Sequence, residues 1–190
     1  MLRARTDIRL VQLLGADGTR PYDFVASGDA RTYNDLLTAA GLDFINDYAA
    51  GIGPARDLLI PRPENVLGAA TTVVADAHPA GLLVHAYTFR AENAFLSAAH
   101  RKGADPAAYG DYEGETRRYL RLGIDGFFTD QPDFGIRALA AGAIPGPRSL
   151  GAEASGGRAV AVARRQDSGC GVRVRRASNG RRRVAPAPRP

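Results

Sequence analysis

The chain has 190 residues, 45% of them hydrophobic and 24% charged, and its formal net charge is +5. This length predicts a single domain with a substantial core. No run of about 18 apolar residues is present, which argues against a membrane-spanning helix, and the single cysteine, Cys170, excludes an internal disulfide and a cysteine-based metal site.

The charge divides the chain into two parts. Residues 144–190 contain 11 Arg and two acidic residues and carry a net +9, whereas residues 1–143 carry a net −4. We therefore expect a mildly acidic folded domain over residues 1–143 and a low-complexity basic tail over residues 144–190. Residues 1–5 lead into charged sequence without the apolar core of a signal peptide, and the sequence leaves the localisation unknown.

Residues 7–81 are predicted to alternate between strands and helices. In chain order the predicted elements are a short buried strand at 8–14, a loop at 19–32, a helical turn near 32–38, a helix at 39–49 capped by Thr38, a strand at 50–54 and a helix at 63–78. Apolar residues at helical spacing and a proline near the first turn indicate the helix at 63–78. Gly41 weakens the prediction of the helix at 39–49, because glycine is a poor helix former.

The same alternation continues through residues 82–141. The predicted elements are a strand at 82–88, a helix at 91–101, a helix at 112–122, a strand at 126–129 and a helix at 134–141. Two short apolar strands separated by helical sequence form a βαβ unit, which is typical of a parallel sheet. We therefore predict an α/β fold.

Parallel sheets carry their chemistry at the carboxyl ends of the strands. The candidate residues there are His85, Tyr87, Thr88, Arg90, Thr129 and Asp130. Strand alternation places His85 on the face of Leu83 and Tyr87, where it is either a hydrogen-bonded structural residue or a residue that lines a barrel. Arg90 either forms a bidentate interaction with a phosphate group through its guanidinium or pairs with Glu92.

Three ordered segments carry a family resemblance. Residues 84–90, 104–111 and 123–133, which read VHAYTFR, ADPAAYGD and GIDGFFTDQPD, resemble the C-terminal third of the glycerophosphodiester phosphodiesterases. Residues 48–54 resemble the preceding segment of the longer, periplasmic-type members. The resemblance covers roughly residues 8–139.

The resemblance implies a TIM (β/α)8 barrel and metal-assisted hydrolysis of a glycerophosphodiester to glycerol 3-phosphate and an alcohol, a reaction of phospholipid and glycerol metabolism. A barrel of this type needs about 250 residues, so we expect the C-terminal half of one, with about four βα units. The implied wall of the substrate pocket is formed by His85, Tyr87, Thr88, Arg90, Phe127 and Thr129.

The family's catalytic motifs have no counterpart in the sequence. Its His-Arg-Gly and Glu-x-Asp motifs are absent, so we assign no catalytic residue and no metal ligand. The resemblance implies a divalent cation, Ca or Mg, for the full-length enzyme, and we expect none to bind this chain alone. Whether the chain is an enzyme therefore stays open, and we expect a truncated phosphodiesterase that is inactive by itself.

Two patterns imitate catalytic motifs. His100 to Gly103 contain the letters of His-Arg-Gly with an insertion, but they lie at the predicted C-terminal end of a helix on the outside of the barrel, where basic residues are favoured. Asp111, Glu113 and Glu115 come at the start of the next predicted helix, where acidic residues complement the helix dipole. Asp130 and Asp133 are expected to cap the last helix.

The composition of residues 144–190 predicts disorder, because the tail cannot bury enough apolar area to offset the entropy of ordering it. The alternative function is a non-catalytic remnant or interaction module whose basic tail binds anions or nucleic acid. The tail has no aromatic residue to stack on bases, which argues against nucleic acid. We also expect self-association through the exposed edges of the partial barrel.

Overall fold

The computed structural model describes residues 7–141 and the backbone of residues 159–162. Its centre is a parallel sheet with the strand order β1-β2-β3-β4-β5. The strands are β1 (Val11–Leu14), β2 (Gly51–Pro54), β3 (Leu83–Phe89), β4 (Gly126–Thr129) and β5 (Ala159–Val162). Every neighbouring pair is parallel, and the four strands predicted from the sequence are all confirmed.

The connections between the strands are helical. The α-helices are α1 (Tyr22–Ser27), α2 (Ala39–Asn46), α3 (Arg56–Leu59), α4 (Val73–Ala77), α5 (Tyr112–Arg121) and α6 (Pro132–Ala140), and short 3-10 turns occur at Asp35–Leu37, Pro63–Asn65, Asn93–Phe95 and Ala98–His100. Parallel strands alternating with helices confirm the predicted α/β fold and agree with a partial (β/α) barrel.

The two faces of the sheet differ in burial. Ile52, Val84 and Ala86 are completely buried and form the core together with residues of the helices. On the other face, Leu13 is 51% exposed and Leu83 is half-buried. Gly53 lies beneath Leu13, because a Cβ at Gly53 would lie 2.6 Å from Leu13 Cδ2. The core therefore lies between the sheet and its helices.

The helix predicted at 63–78 is wrong over most of its length. Only Val73–Ala77 is α-helical, and Glu64 and Asn65 have positive φ angles. The intervening backbone bonds to the preceding segment instead of to itself: the Gly68 amide donates to the Pro61 carbonyl oxygen, and the Thr71 amide donates to the Leu59 carbonyl oxygen. These longer-range bonds replace the i to i−4 bonds that a helix requires.

The helix predicted at 91–101 is also wrong, since the segment forms two separate 3-10 turns. Asn93 explains the difference, because its amide side chain donates to the carbonyl oxygens of Lys102 and Asp105 and accepts from the Lys102 amide. A side chain that bonds to nearby backbone in this way competes with the helix.

The loop predicted at 19–32 contains the short helix α1, whose Phe24 is buried. The turn near 32–38, the helix capped by Thr38 and the helices that follow residues 111 and 131 are confirmed.

The predicted basic tail, residues 144–190, lies outside the described residues except for β5, which pairs with β4 from Gly126↔Ala159 to Thr129↔Val162. The predicted disorder and binding roles of the tail stay predictions. Across the described part of the chain, no helix has both the length and the apolar character needed to cross a membrane.

Candidate active site at the carboxyl edge of the sheet

The loops that follow β2, β3 and β4 bring polar side chains to the carboxyl edge of the sheet. Arg56 begins α3 just after β2, Arg90 follows β3, and Asp130 follows β4. Arg90 and Asp130 come directly after their strands and Arg56 comes two positions after β2, so the polar side chains collect at one edge. This edge is the candidate site.

Tyr87 is fixed near the end of β3. Its hydroxyl donates to the Leu14 carbonyl oxygen over 3.0 Å, which ties β3 to the end of β1. Burial raises the pKa of the Tyr87 hydroxyl, which favours the protonated form that this hydrogen bond requires. Thr88 follows it and is half-buried.

His85 lies deeper on the half-exposed face of the sheet. Its ring has no hydrogen-bond partner among the described residues, unlike His78, whose Nε2 lies 3.0 Å from Asp125 Oδ2. Burial lowers the pKa of the His85 imidazole, with Asp125 opposing this shift. Of the two roles that the sequence left open for His85, a neutral ring without a hydrogen-bond partner fits a residue that lines the barrel better than a hydrogen-bonded structural residue.

Arg90 is held from three sides. Its Nη2 lies 3.2 Å from Glu92 Oε1, its Nε lies 3.1 Å from Asp130 Oδ2, and its guanidinium carbon lies 3.8 Å from the centre of the Phe95 ring. The predicted pairing with Glu92 occurs, but Asp130 does not cap α6 as expected, because it pairs with Arg90 instead. Asp133, also expected as a cap, pairs with Arg137 one turn further on.

Phe127 and Thr129 lie on the helix side of β4, and their assignment to the pocket wall stays a prediction. Phe127 is 1% exposed and packs against Phe89 with ring centres 5.2 Å apart. Thr129 is completely buried, and its Oγ1 accepts a 2.6 Å hydrogen bond from the Tyr112 hydroxyl. Alternation along β4 turns Phe128, the half-buried neighbour, toward the other face.

A buried ion pair lies beside the candidate site and was missed in the sequence. Arg56 Nη1 donates to Glu115 Oε1 over 2.9 Å, and the two side chains are only 7% and 1% exposed. Burial lowers the pKa of the Arg56 guanidinium, with Arg62 acting in the same direction and Glu115 opposing it. Glu115 is therefore not a surface acid that complements the helix dipole, as its position near the start of α5 suggested.

The same ion pair organises the loop that follows Arg90. The Ser97 amide donates to Glu115 Oε2 over 2.7 Å, and Arg56 and Arg62 each donate to the Phe95 carbonyl oxygen over 2.9 Å. His100 belongs to this loop, with Nδ1 2.8 Å from Ser97 Oγ, and not to the end of an outer helix as predicted. The sequence does not reveal such a pair, because nothing in the residue pattern distinguishes a charged residue that will be buried from one that will be exposed.

The expectation that no divalent cation binds this chain alone stays a prediction, and the described residues bear on it only through their arrangement. Such ions prefer several carboxylate oxygens from side chains that converge. Within residues 7–141, no group of three His, Cys, Asp or Glu side chains is arranged to hold a metal. Of the two carboxylates beside Arg90, Glu92 contacts it through Oε1 and Asp130 through Oδ2, and Glu92 Oε2 is buried without a hydrogen-bond partner among the described residues.

A parallel sheet with a core against its helices and polar side chains at its carboxyl edge is an α/β fold that agrees with a partial β/α barrel. The sequence profile of the glycerophosphoryl diester phosphodiesterase family matches residues 3–134. The chain belongs to this family, which confirms the resemblance in the three motifs.

A curated relative gives the extent of the similarity. Glycerophosphodiester phosphodiesterase GDPD6 of Arabidopsis thaliana is 41% identical over 101 residues, which cover 53% of this chain and 25% of that protein. The matched region thus spans about a quarter of the length of this relative.

Proposed function

We propose that the chain forms the carboxyl-edge pocket wall of a glycerophosphodiester phosphodiesterase, an enzyme that hydrolyses a glycerophosphodiester to glycerol 3-phosphate and an alcohol. The observation that carries the proposal is the family match over residues 3–134, a range that contains β1 to β4 and the loops that follow them. The 41% identity to a relative named as such a phosphodiesterase supports it.

Arg90 is the central ligand-binding group in this proposal. With Glu92 and Asp130 it forms a cluster of formal charge −1, so what it offers a ligand is N–H donors in fixed directions and not a net positive charge. Such a guanidinium donates to an oxygen of the glycerol phosphate group, while the two carboxylates and Phe95 fix its direction. Tyr87 and Thr88 line the same wall, and His85 lies below them.

The chain binds this ligand but does not turn over the substrate by itself in our proposal. Phosphodiester hydrolysis needs a group that stabilises charge on the phosphoryl oxygens and a general acid and base for the two oxygens that exchange. The His-Arg-Gly and Glu-x-Asp motifs that serve these purposes in the family are missing from the printed sequence. The purified chain, assayed with glycerophosphocholine and Mg or Ca, is expected to release no glycerol 3-phosphate.

Binding is tested by calorimetric titration of the full 190-residue chain with glycerol 3-phosphate. We expect Arg90→Ala to weaken binding about tenfold, because a charge-assisted hydrogen bond contributes about 1.5 kcal/mol. Arg137→Ala is the matched control, since Arg137 also pairs with two carboxylates but lies on α6, where its side chain is 49% exposed. Equal affinity of the wild type and Arg90→Ala would refute the role of Arg90, and release of glycerol 3-phosphate would refute the proposed inactivity.

A further inference from the structure

We propose that Glu115 and Arg56 are positioning residues that hold Arg90 in place through Phe95, an inference that rests on the proposed role of Arg90 in the pocket wall. Both residues are buried, with Glu115 0% and Arg56 6% exposed. Their effect is transmitted through one loop, residues 91–101, which carries Phe95 over the carboxyl edge.

The first link is the buried ion pair itself. Glu115 is completely buried on α5, and its two carboxylate oxygens are used separately: Oε1 accepts from Arg56 and Oε2 accepts from the Ser97 amide. One carboxylate therefore joins the loop after β2 to the loop after β3. Because both of its oxygens are occupied within the core, Glu115 has a single well-defined orientation.

The second link is the Phe95 carbonyl oxygen. Arg56 Nη2 and Arg62 Nη1 each donate to it over 2.9 Å. Arg62 is itself held by Asp57, with Nε 2.8 Å from Oδ1. Two guanidinium groups on one carbonyl oxygen fix the backbone of a residue whose side chain is 37% exposed and would otherwise be free to move.

The third link is the Phe95 ring. The Arg90 guanidinium carbon lies 3.8 Å from the ring centre, which is stacking distance for a cation on an aromatic face. At the edge of the guanidinium, Nη2 donates to Glu92 Oε1, and Nε lies 3.1 Å from Asp130 Oδ2 as an ion pair without a hydrogen bond, while the ring covers the face. Loss of the ring would leave Arg90 free to rotate about its two carboxylate contacts, so the N–H groups would no longer point in one direction.

The test compares two readouts in the full chain. The first is the NMR signal of the Arg90 Nε proton, which an aromatic ring at stacking distance shifts upfield. The second is the affinity for glycerol 3-phosphate, measured by calorimetry. The main variant is the double change Glu115→Gln with Arg56→Met, because Glu115→Gln alone leaves a buried guanidinium without its carboxylate and can unfold the chain.

Phe95→Leu tests the last link without touching the ion pair. Glu113→Gln is the matched control, since Glu113 lies on the same helix but pairs at the surface with Arg137, whose side chain is 49% exposed. We expect the double variant and Phe95→Leu to lose the upfield shift and to bind glycerol 3-phosphate about fivefold more weakly. We expect Glu113→Gln to behave like the wild type in both readouts.

An unchanged Arg90 signal in the folded double variant would overturn the inference. So would unchanged ligand affinity in the double variant if Arg90→Ala weakens binding, and in that case the proposed function stands. If Arg90→Ala itself leaves the affinity unchanged, the proposed role of Arg90 in binding is refuted. The positioning role of Glu115 and Arg56, which depends on it, is then refuted as well.

Discussion

Tyr112 and Tyr119 carry phenol groups into the core from one face of α5. They are 2% and 0% exposed, and burial raises the pKa of each hydroxyl to about 12 from an ordinary value of 10.0. The folded state therefore disfavours the charged phenolate, whereas the unfolded chain ionises near pH 10. The associated stability is fully present below pH 10 and is lost as the pH rises toward 12.

We expect the free energy of unfolding to decrease between pH 10 and pH 12 by at most about 3 kcal/mol for each of these tyrosines. Urea unfolding at a series of pH values measures this decrease. Tyr112→Phe should show a shallower decrease than the wild type, because one of the two buried ionisations is removed. Parallel pH profiles for the two proteins would contradict the assignment.

For His85 we expect the opposite trend, a loss of stability as the pH falls. Burial lowers the pKa of its imidazole below the ordinary 6.5, so the unfolded chain takes up the proton more readily than the folded one. Stability is present above pH 6.5 and is lost as the pH falls through the lowered folded value. His85→Gln should lose less stability than the wild type between pH 7.5 and pH 5, as measured by thermal unfolding. An identical loss in both proteins would show that His85 does not titrate in a buried position.

At the scale of elements, Gly41 is needed for the packing of α2, although helix propensity disfavours glycine in a helix. Alanine is a better helix former than glycine by about 1 kcal/mol, but a Cβ at position 41 would collide with the Asp35 carbonyl oxygen and lie 2.5 Å from Leu36 Cα. Gly41 is therefore the residue that lets α2 pack closely against the preceding 3-10 turn. The sequence presented it only as a weak point of the helix.

We expect Gly41→Ala to destabilise the chain by about 1–3 kcal/mol, because backbone atoms cannot move aside easily. Ala40→Gly on the exposed side of α2 is the control and should cost about 1 kcal/mol through propensity alone. Denaturant unfolding of both variants measures the difference. Stabilisation by Gly41→Ala would mean that α2 and the turn are not in close contact.

The helices that were predicted wrongly, at 63–78 and 91–101, are those whose segments form hydrogen bonds with residues outside the helical i to i−4 pattern. Apolar spacing at 63–78 was compatible with a helix, but the bonds from Gly68 and Thr71 go back to residues 58–61. Asn93 likewise bonds across to Lys102 and Asp105. Strands and the helices α5 and α6 were predicted correctly because their periodicity and end residues are local properties.

At the scale of the whole molecule, the half-exposed face of the sheet predicts self-association. Leu13 is 51% exposed above Gly53, and Leu83, which is half-buried, lies on the same face. Apolar sheet faces and unpaired strand edges favour contacts between molecules. We expect the chain to form oligomers in sedimentation velocity experiments.

Leu13→Lys should shift the chain toward the monomer, because burying a charged side chain in such a contact carries a large desolvation free energy. Val25→Lys is the matched control, since Val25 is 50% exposed but lies on α1. A monodisperse wild-type monomer with cooperative thermal unfolding would contradict the prediction. Equal effects of both variants would show that net charge, and not this face, governs association.

The sequence by itself determined the α/β class, the positions of β1 to β4 and, through the motifs at 84–90 and 123–133, the family. These features follow from local patterns of apolar residues and from short ordered motifs. Only the tertiary structure decided that Arg90 is paired with Asp130, that Phe127 and Thr129 face the helices, and that Glu115 is buried against Arg56, 59 residues earlier. The physical reason is that burial and charge pairing depend on which distant segments meet, and residue spacing within one element carries no information about its partners.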